Sequence, residues 1–361
     1  MDFGLSEEQN LLQATVRRYL AERCPTERVR AIMETETAHD PALWRELAEL
    51  GTTAIVVPEA DGGLGRELLD LALVAEELGY AAAPGPFLAT SMASVALVHA
   101  TDAAARAEWL PRLASGEAVG AIAIGEADEE WDPSRLATRA HGDRLTGFKG
   151  MVVAGGVADF LLVAAVDSEG PGLWLVDRDA PGATLARLKG SDMTRPLWSL
   201  TLANAPARRV GGIDTIARAY DAGLVLVAAD AYGGARRCFD MTRAHVLERE
   251  QFGQLIGSFQ AVKHQLADII ADLEPALSLV WYAAHAFDRL PERATRHAAL
   301  AKAHLCDLYD RTTRVATELH GGIGFTWEYD LHLWFRRAMF DRSALGAAQL
   351  HRARAAAAGG W

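Results

Sequence analysis

The residues best suited to chemistry lie between Arg243 and Gln260, RAHVLEREQFGQLIGSFQ. Arg249 precedes Phe252 by three positions and Gly253 follows, which puts a guanidinium and an aromatic ring on one side of a bend. Such a pair suits a phosphate anion attached to a flat ring, because the guanidinium can grip phosphate oxygens bidentately while the ring offers a stacking face. The same two residues also fit a helix-capping Arg and a core-filling Phe. Other chemistries have less support. The eleven histidines show no zinc-type spacing, His297 and His304 read as structural or solvated, and no metal site is expected. No G-x-G-x-x-G follows a strand and no Walker motif is present, so a Rossmann or P-loop reading has no basis.

The elements that must position the Arg–Phe pair follow from periodicity. Ser6 with Gln9 gives a capping-box pattern, and Leu12, Val16, Tyr19 and Leu20 recur at helical spacing after it. Pro41 opens another helix, stopped by Gly51. Leu68 to Leu78, Thr90 to His99 and Ala103 to Leu113 complete a helical domain ending near Gly116. The pattern changes at Val119. Short β-rich runs follow at 121–124, 144–153, 160–166, 173–176 and 197–202, separated by Gly, Asp and Pro turns, as in an antiparallel barrel or sandwich. Helical periodicity returns near Thr215 and predicts helices over about 215–247, 257–288, 293–320, 327–340 and 344–358, enough for a bundle. In the first and second of these, the Arg249–Gly253 stretch interrupts the pattern and the next helix begins near Ser258. The expected class is α+β, mainly α. Its domains are an N-terminal helical domain (1–116), a middle β-domain (117–212) and a C-terminal helical bundle (213–361).

Composition agrees with several domains and excludes some partners. The 361 residues are half hydrophobic and rich in Ala, which favours helix. A net charge of -12 argues against nucleic acid or an anionic membrane as the main partner. Cys24, Cys238 and Cys306 form no C-x-x-C and imply no disulfide framework, which favours a reducing cytoplasm. Asp2, Glu7 and Glu8 are unlike the start of a signal peptide. The apolar run 151–166 is interrupted by Asp159 and several Gly and is too short to span a bilayer.

Four ordered segments carry a resemblance. REQFG with the later Ile256 and Gln260 resembles the R-x-x-F-G-x-x-I-x-x-x-Q segment of the acyl-CoA dehydrogenase family. DFGLSEEQ from Asp2 resembles that family's opening, VPEADGGLG from Val57 its P-E-x-x-G-G-x-G turn, and LPRLASGE from Leu110 the approach to its β-domain. ELHGGIGF from Glu318 resembles its second flavin-contacting turn. The resemblance implies an FAD enzyme that desaturates an acyl-CoA thioester. A carboxylate takes the α-proton from the side away from the flavin, which carries out the redox step.

The resemblance also names residues, and here the chain departs from the pattern. The E-G-T turn that supplies the base falls on Leu345-Gly346-Ala347, so Leu345 stands in place of Glu. The alternative Glu position falls on Gly223. Asp221, two residues earlier, is the nearby carboxylate; it reads either as an unconventional base or as an exposed Asp near a helix N-terminus. The T-E-P-x-x-G-S-D segment falls on 125–132, GEADEEWD, losing its hydroxyl at Gly125 and gaining Glu130-Trp131. W-x-T falls on Met151-Val152-Val153, while Lys149, Gly155 and Gly156 keep register.

Arg249, Phe252, Gln260, Gly321 and Gly322 match the residues that reach a neighbouring subunit's FAD in this family, with Glu318 where Gln is usual. The implied assembly pairs this chain with a paralogous subunit that carries the base, as an α2β2 heterotetramer, with an acyl-CoA substrate and an electron-transfer-flavoprotein-type acceptor. Two alternatives stay open: a homo-oligomeric oxidoreductase using Asp221, and a non-enzymatic binding protein with this fold.

Overall fold

The computed structural model describes residues 4–127 and 130–360; Asp2 and Phe3 of the opening segment, and Asp128 and Glu129 of the GEADEEWD segment, lie outside the described residues. Six helices come first: α1 (Glu7–Arg23), α2 (Thr26–Met33), α3 (Pro41–Glu49), α4 (Leu68–Tyr80), α5 (Phe87–Val98) and α6 (Ala103–Ala114). The capping box closes α1 as its spacing implies. Ser6 Oγ accepts from the Gln9 amide at 3.1 Å, and Gln9 Oε1 accepts from the Ser6 amide at 3.0 Å. Asp40 and Asp102 cap α3 and α6 through the same orphan-amide chemistry.

Eight strands follow: β1 (Gly120–Ala123), β2 (Arg139–His141), β3 (Arg144–Val153), β4 (Phe160–Asp167), β5 (Gly170–Asp177), β6 (Ala183–Arg187), β7 (Leu197–Pro206) and β8 (Arg208–Gly212). They form one sheet in the order β6-β7-β3-β2-β4-β5-β8, with β1 also paired to β4. Most pairings are antiparallel. The departure from the expected arrangement is at β4, which takes both β1 and β2 in parallel. Trp198 of β7 explains the Gly155-Gly156 pair: a Cβ on Gly156 would lie 2.3 Å from its indole.

The chain then returns to helix: α7 (Ile213–Glu248), α8 (Gln260–Arg289), α9 (Pro291–His320), α10 (Leu331–Ser343) and α11 (Ala348–Ala358). Between α7 and α8 the expected simple interruption is a hairpin, β9 (Glu250–Gln251) with β10 (Gln254–Leu255). Its two loop residues, Phe252 (φ +55°) and Gly253 (φ +76°), both have positive φ, the pattern of a two-residue type I′ turn.

The core runs through α4 and the middle of α7, which are buried on nearly every face. Their backbones touch. A Cβ on Gly79 would meet the Asp230 carbonyl at 2.1 Å, and one on Gly233 would meet the Glu76 carbonyl at 1.9 Å. Into this packing goes a buried guanidinium, Arg337 of α10. Its Nε donates to Asp192 Oδ2 at 2.7 Å, its Nη1 to Asp230 Oδ1 at 3.1 Å, and its Nη2 to the Ala83 carbonyl at 3.1 Å and to Thr194 Oγ1. Arg195 joins Asp230 and Asp341 beside it. One cluster thereby ties the loop before β7 to α7, α10 and the end of α4. Removing one member of a buried ion cluster leaves uncompensated charge, a loss of roughly 3–5 kcal/mol. Arg337→Ala should therefore cost about that much stability in urea unfolding, and a loss under about 1 kcal/mol would show the cluster to be dispensable.

Candidate functional site

Two regions of the structure bear on the candidate residues, and they differ in kind. The first is interior, where β1, β3, α5 and α10 converge. Leu345 lies in the turn between α10 and α11, buried, with φ +58°. A branched side chain is strained in that left-handed region. Three donors hold the turn there: Tyr220 Oη to the Leu345 carbonyl at 2.6 Å, His351 Nε2 to the same oxygen at 2.8 Å, and Lys302 Nζ to the Gly346 carbonyl at 3.2 Å. Burial, with Lys302 nearby, pushes His351 down to about 3, so its ring is neutral at physiological pH.

Leu345 faces a cavity of about 20 Å³. Its walls include Met92, Ile124, Trp131, Met151, Val153 and Phe340, all apolar. That is room for about one water. The positions expected to border a flavin ring, Met151 and Val153, thus present hydrocarbon, and Trp131 fills the space above Gly125, where a Cβ would meet its indole at 2.9 Å. Glu130 pairs with Arg135 at 3.1 Å. The residues present do not fit a three-ring heterocycle. Gly223 is closed as well: a Cβ there would come within 2.7 Å of Met92 Cε and Leu345 Cδ1, so a longer side chain must displace both.

The retained Glu126 lies beneath this region, accepting from Lys149 Nζ at 2.7 Å and the Thr138 amide at 2.9 Å. Burial pushes Lys149 down to about 8, while the Lys149 contact, against an opposing burial effect, leaves Glu126 below the ordinary carboxylate value. The pair ties Glu126 and, through it, the Ala137 and Thr138 amides to β3.

Asp221 corrects one expectation. It is not an exposed residue at a helix end but lies in the third turn of α7, 3% exposed. Its Oδ1 lies 2.7 Å from Arg354 Nη1 of α11, and its Oδ2 accepts from Thr295 Oγ1 at 2.7 Å. Both contacts fix α11 and α9 against α7, and Asp221 does not line the Leu345 cavity. The signal was in the sequence: YDAGLVLVAADAYGGA is apolar on every helical face, so an Asp within it must be buried and paired.

The second region is at the surface. The β9–β10 hairpin and the turn after α9 stand together at one end of the bundle. His245, one turn before Arg249, stacks on His320, next to Gly321, with ring centroids 4.3 Å apart. His320 Nδ1 bonds the Ala316 carbonyl at 2.7 Å and Nε2 the Tyr329 hydroxyl at 3.0 Å. Arg249, Phe252, Gln260, Glu318, Gly321 and Gly322 are all exposed. Phe252 is 93% exposed and touches Phe259 edge-on, which rules out the core-filling role. Arg249 is the C-cap residue of α7 through its backbone, its N–H donating to the His245 carbonyl at 2.9 Å, while among the described residues its guanidinium makes no hydrogen bond or ion pair. Phe325, 77% exposed, with Leu247, Ile323 and Trp327, adds an apolar margin. No His/Cys/Asp/Glu group among the described residues could hold a metal ion, and no helix there is long and apolar enough to cross a membrane.

Comparison with known proteins agrees along the whole length. Residues 6–117 match the acyl-CoA dehydrogenase N-terminal domain and residues 211–360 the acyl-CoA dehydrogenase C-terminal domain. The acyl-CoA dehydrogenase IpdE2 of Mycolicibacterium smegmatis is 35% identical over 95% of this chain and 96% of its own. Among solved structures, the Tcur3481-Tcur3483 steroid ACAD aligns with a TM-score of 0.91 at 32% identity, covering 98% of each chain. The ChsE4-ChsE5 complex from Mycobacterium tuberculosis aligns with a TM-score of 0.91 at 29% identity, over 98% of this chain and 97% of that one. The chain belongs to the acyl-CoA dehydrogenase family of oxidoreductases.

Proposed function

We propose that this chain is one subunit of a heteromeric, FAD-dependent acyl-CoA dehydrogenase, in which it completes the FAD site of a paralogous partner. One contrast carries the reading: the chain's own flavin-side cavity is closed by Leu345, Trp131, Met151 and Val153, while Arg249 and Phe252 stand exposed at the hairpin, the Arg249 guanidinium without a partner among the described residues. The ChsE4-ChsE5 complex, whose two chains carry different names, is similar over nearly the full length and supports a pairing of unlike subunits. The steroid ACAD among the similar structures supports a bulky acyl-CoA in steroid or fatty-acid catabolism.

In this reading Arg249 grips the diphosphate of the partner's FAD. Phe252 and Gln260, with the backbone of Gly321 and Gly322, lie against the nucleotide end. Both glycines suit the role, since a Cβ on either would meet nothing within 4 Å and the backbone is open to close approach. Glu318 needs a donor from the ligand or the partner. Bound FAD would supply the hydride acceptor for the acyl β-carbon; this chain offers no base for the accompanying α-proton, a role left to the partner's Glu. The electron acceptor is of the electron-transfer-flavoprotein type, and the site of action is the cytoplasm. The domains divide near residues 116 and 212.

The test is co-expression. The single chain should purify colourless and inactive, and a paralogue bearing the Glu turn should restore yellow, active protein. Within that complex Arg249→Ala should weaken FAD retention by about 1.5–3 kcal/mol, and Arg249→Lys should restore it only in part, because Lys lacks the planar fork. Unchanged flavin affinity in Arg249→Ala would sink the role of Arg249.

Asp221→Asn supplies the opposite control. It should leave turnover of the assembled enzyme nearly unchanged and lower stability by about 1–3 kcal/mol, because Arg354 loses its charged partner. If the single chain dehydrogenates an acyl-CoA at a normal rate and Asp221→Asn abolishes it, Asp221 is the base and the heteromeric reading is wrong.

A further inference from the structure

We propose that a second, open cavity between α1, α2, α4 and α7 binds a small organic monocarboxylate with the Arg237 guanidinium as its anchor. The cavity measures about 290 Å³ and is lined by Arg17, Leu20, Ala21, Thr26, Glu77 and Tyr80 together with Arg237. It shares no residue with the Leu345 cavity or the Arg249 surface, so the inference stands apart from the heteromeric reading.

Arg237 is half-buried, and its Cζ lies 5.4 Å from the ring centroids of both Tyr80 and Trp334. Each ring is itself tied down. Tyr80 Oη donates to Asp240 Oδ2 at 3.1 Å, and Trp334 Nε1 donates to the Gly79 carbonyl at 3.1 Å. The guanidinium is therefore held in place by stacking. Yet among the described residues it makes no hydrogen bond and no ion pair, leaving five N–H donors without a protein acceptor. A fixed planar fork of free donors is preorganised for a carboxylate.

Charge selects the ligand class. The other two ionised groups on the wall neutralise each other: Arg17 Nε and Nη2 reach Glu77 Oε2 and Oε1 at 2.9 and 2.6 Å. Arg237 thus leaves the cavity one net positive charge, which matches a monoanion. A phosphate dianion would bring its second charge toward Glu77. Leu20, Ala21 and Ala81 give an apolar wall for a short hydrocarbon part, and Thr26 places a hydroxyl at the rim. The volume lies at the small end for ligand sites.

The experiment titrates the full-length chain with butyrate, cyclohexanecarboxylate and inorganic phosphate, read by calorimetry and by thermal shift. Saturable binding of at least one carboxylate, tighter than phosphate, is expected. Arg237→Met should weaken it at least tenfold with the helical circular dichroism kept, and Arg237→Lys should restore part of it. Thr26→Val, at the rim and outside the core, should weaken binding several-fold and keeps the test decisive if Arg237→Met does not fold. The proposal is overturned if neither carboxylate binds saturably, if phosphate binds more tightly, or if a folded Arg237→Met binds like the parent. A purely structural cation–π role for Arg237 predicts that last result together with a lowered melting temperature.

Discussion

The structure depends on a buried guanidinium. Arg337 is fully buried, and moving a charge of that size out of water is costly enough that it persists only where its donors are met. Its partners come from the loop before β7, from the middle of α7 and from the carbonyls that follow α4. The helical, sheet and bundle segments are therefore held by one planar group whose geometry tolerates little adjustment. Charge balance in the cluster follows. Arg195 and Arg337 face three carboxylates, Asp192, Asp230 and Asp341. Burial, with the nearby Asp230, raises Asp341 well above its ordinary value. Two walls of the Leu345 cavity adjoin this cluster: Phe340 precedes Asp341 in sequence and lies under the Arg195 guanidinium, and Leu197 follows Arg195 by two residues.

What was legible in the sequence divides along physical lines. Long helices announce themselves through periodicity, and α7, α8 and α9 were all readable from it. The missed elements lacked a local signal. Helix α2 has eight residues and follows Pro25 as N-cap, with no side-chain cap. Strands β2, β6 and β8 have three to five residues each, and β9–β10 has two-residue strands set by its turn alone. The parallel placement of β1 and β2 on β4 is a long-range choice that no window of sequence records. At the candidate site, the substitutions were plain in the sequence, but their consequence was not. That Trp131 fills space above Gly125, and that Met92 and Leu345 together close the Gly223 position, depends on residues from four separate segments meeting in the fold.

The interior and exposed regions also differ in the sign of their energetics. Replacing polar groups that would face a cofactor with Leu, Met, Val and Trp lets the interior close on itself, which favours the isolated chain through burial and packing. The one unfavourable element there is Leu345 in a left-handed conformation, held by Tyr220, His351 and Lys302. A turn free to relax would not keep a leucine at φ +58°, so the backbone path of the turn is fixed by its three donors and not by the residue it carries.

The hairpin shows the reverse. Phe252 exposes nearly all of its ring from a positive-φ position, and among the described residues the Arg249 guanidinium has no hydrogen-bond or ion-pair partner. Neither arrangement stabilises the monomer: the ring buries almost no area, and a non-glycine residue in that region is strained. The adjacent His245–His320 stack and the bond to Tyr329 nevertheless hold the supporting segments in place. An exposed aromatic and a guanidinium unpaired among the described residues, bordered by the exposed Phe325 and Trp327, form the kind of surface that a binding partner covers. The interior has closed in a way that favours the chain alone, while the surface presents groups that gain little from their own chain; the heteromeric assembly proposed above accounts for that opposition.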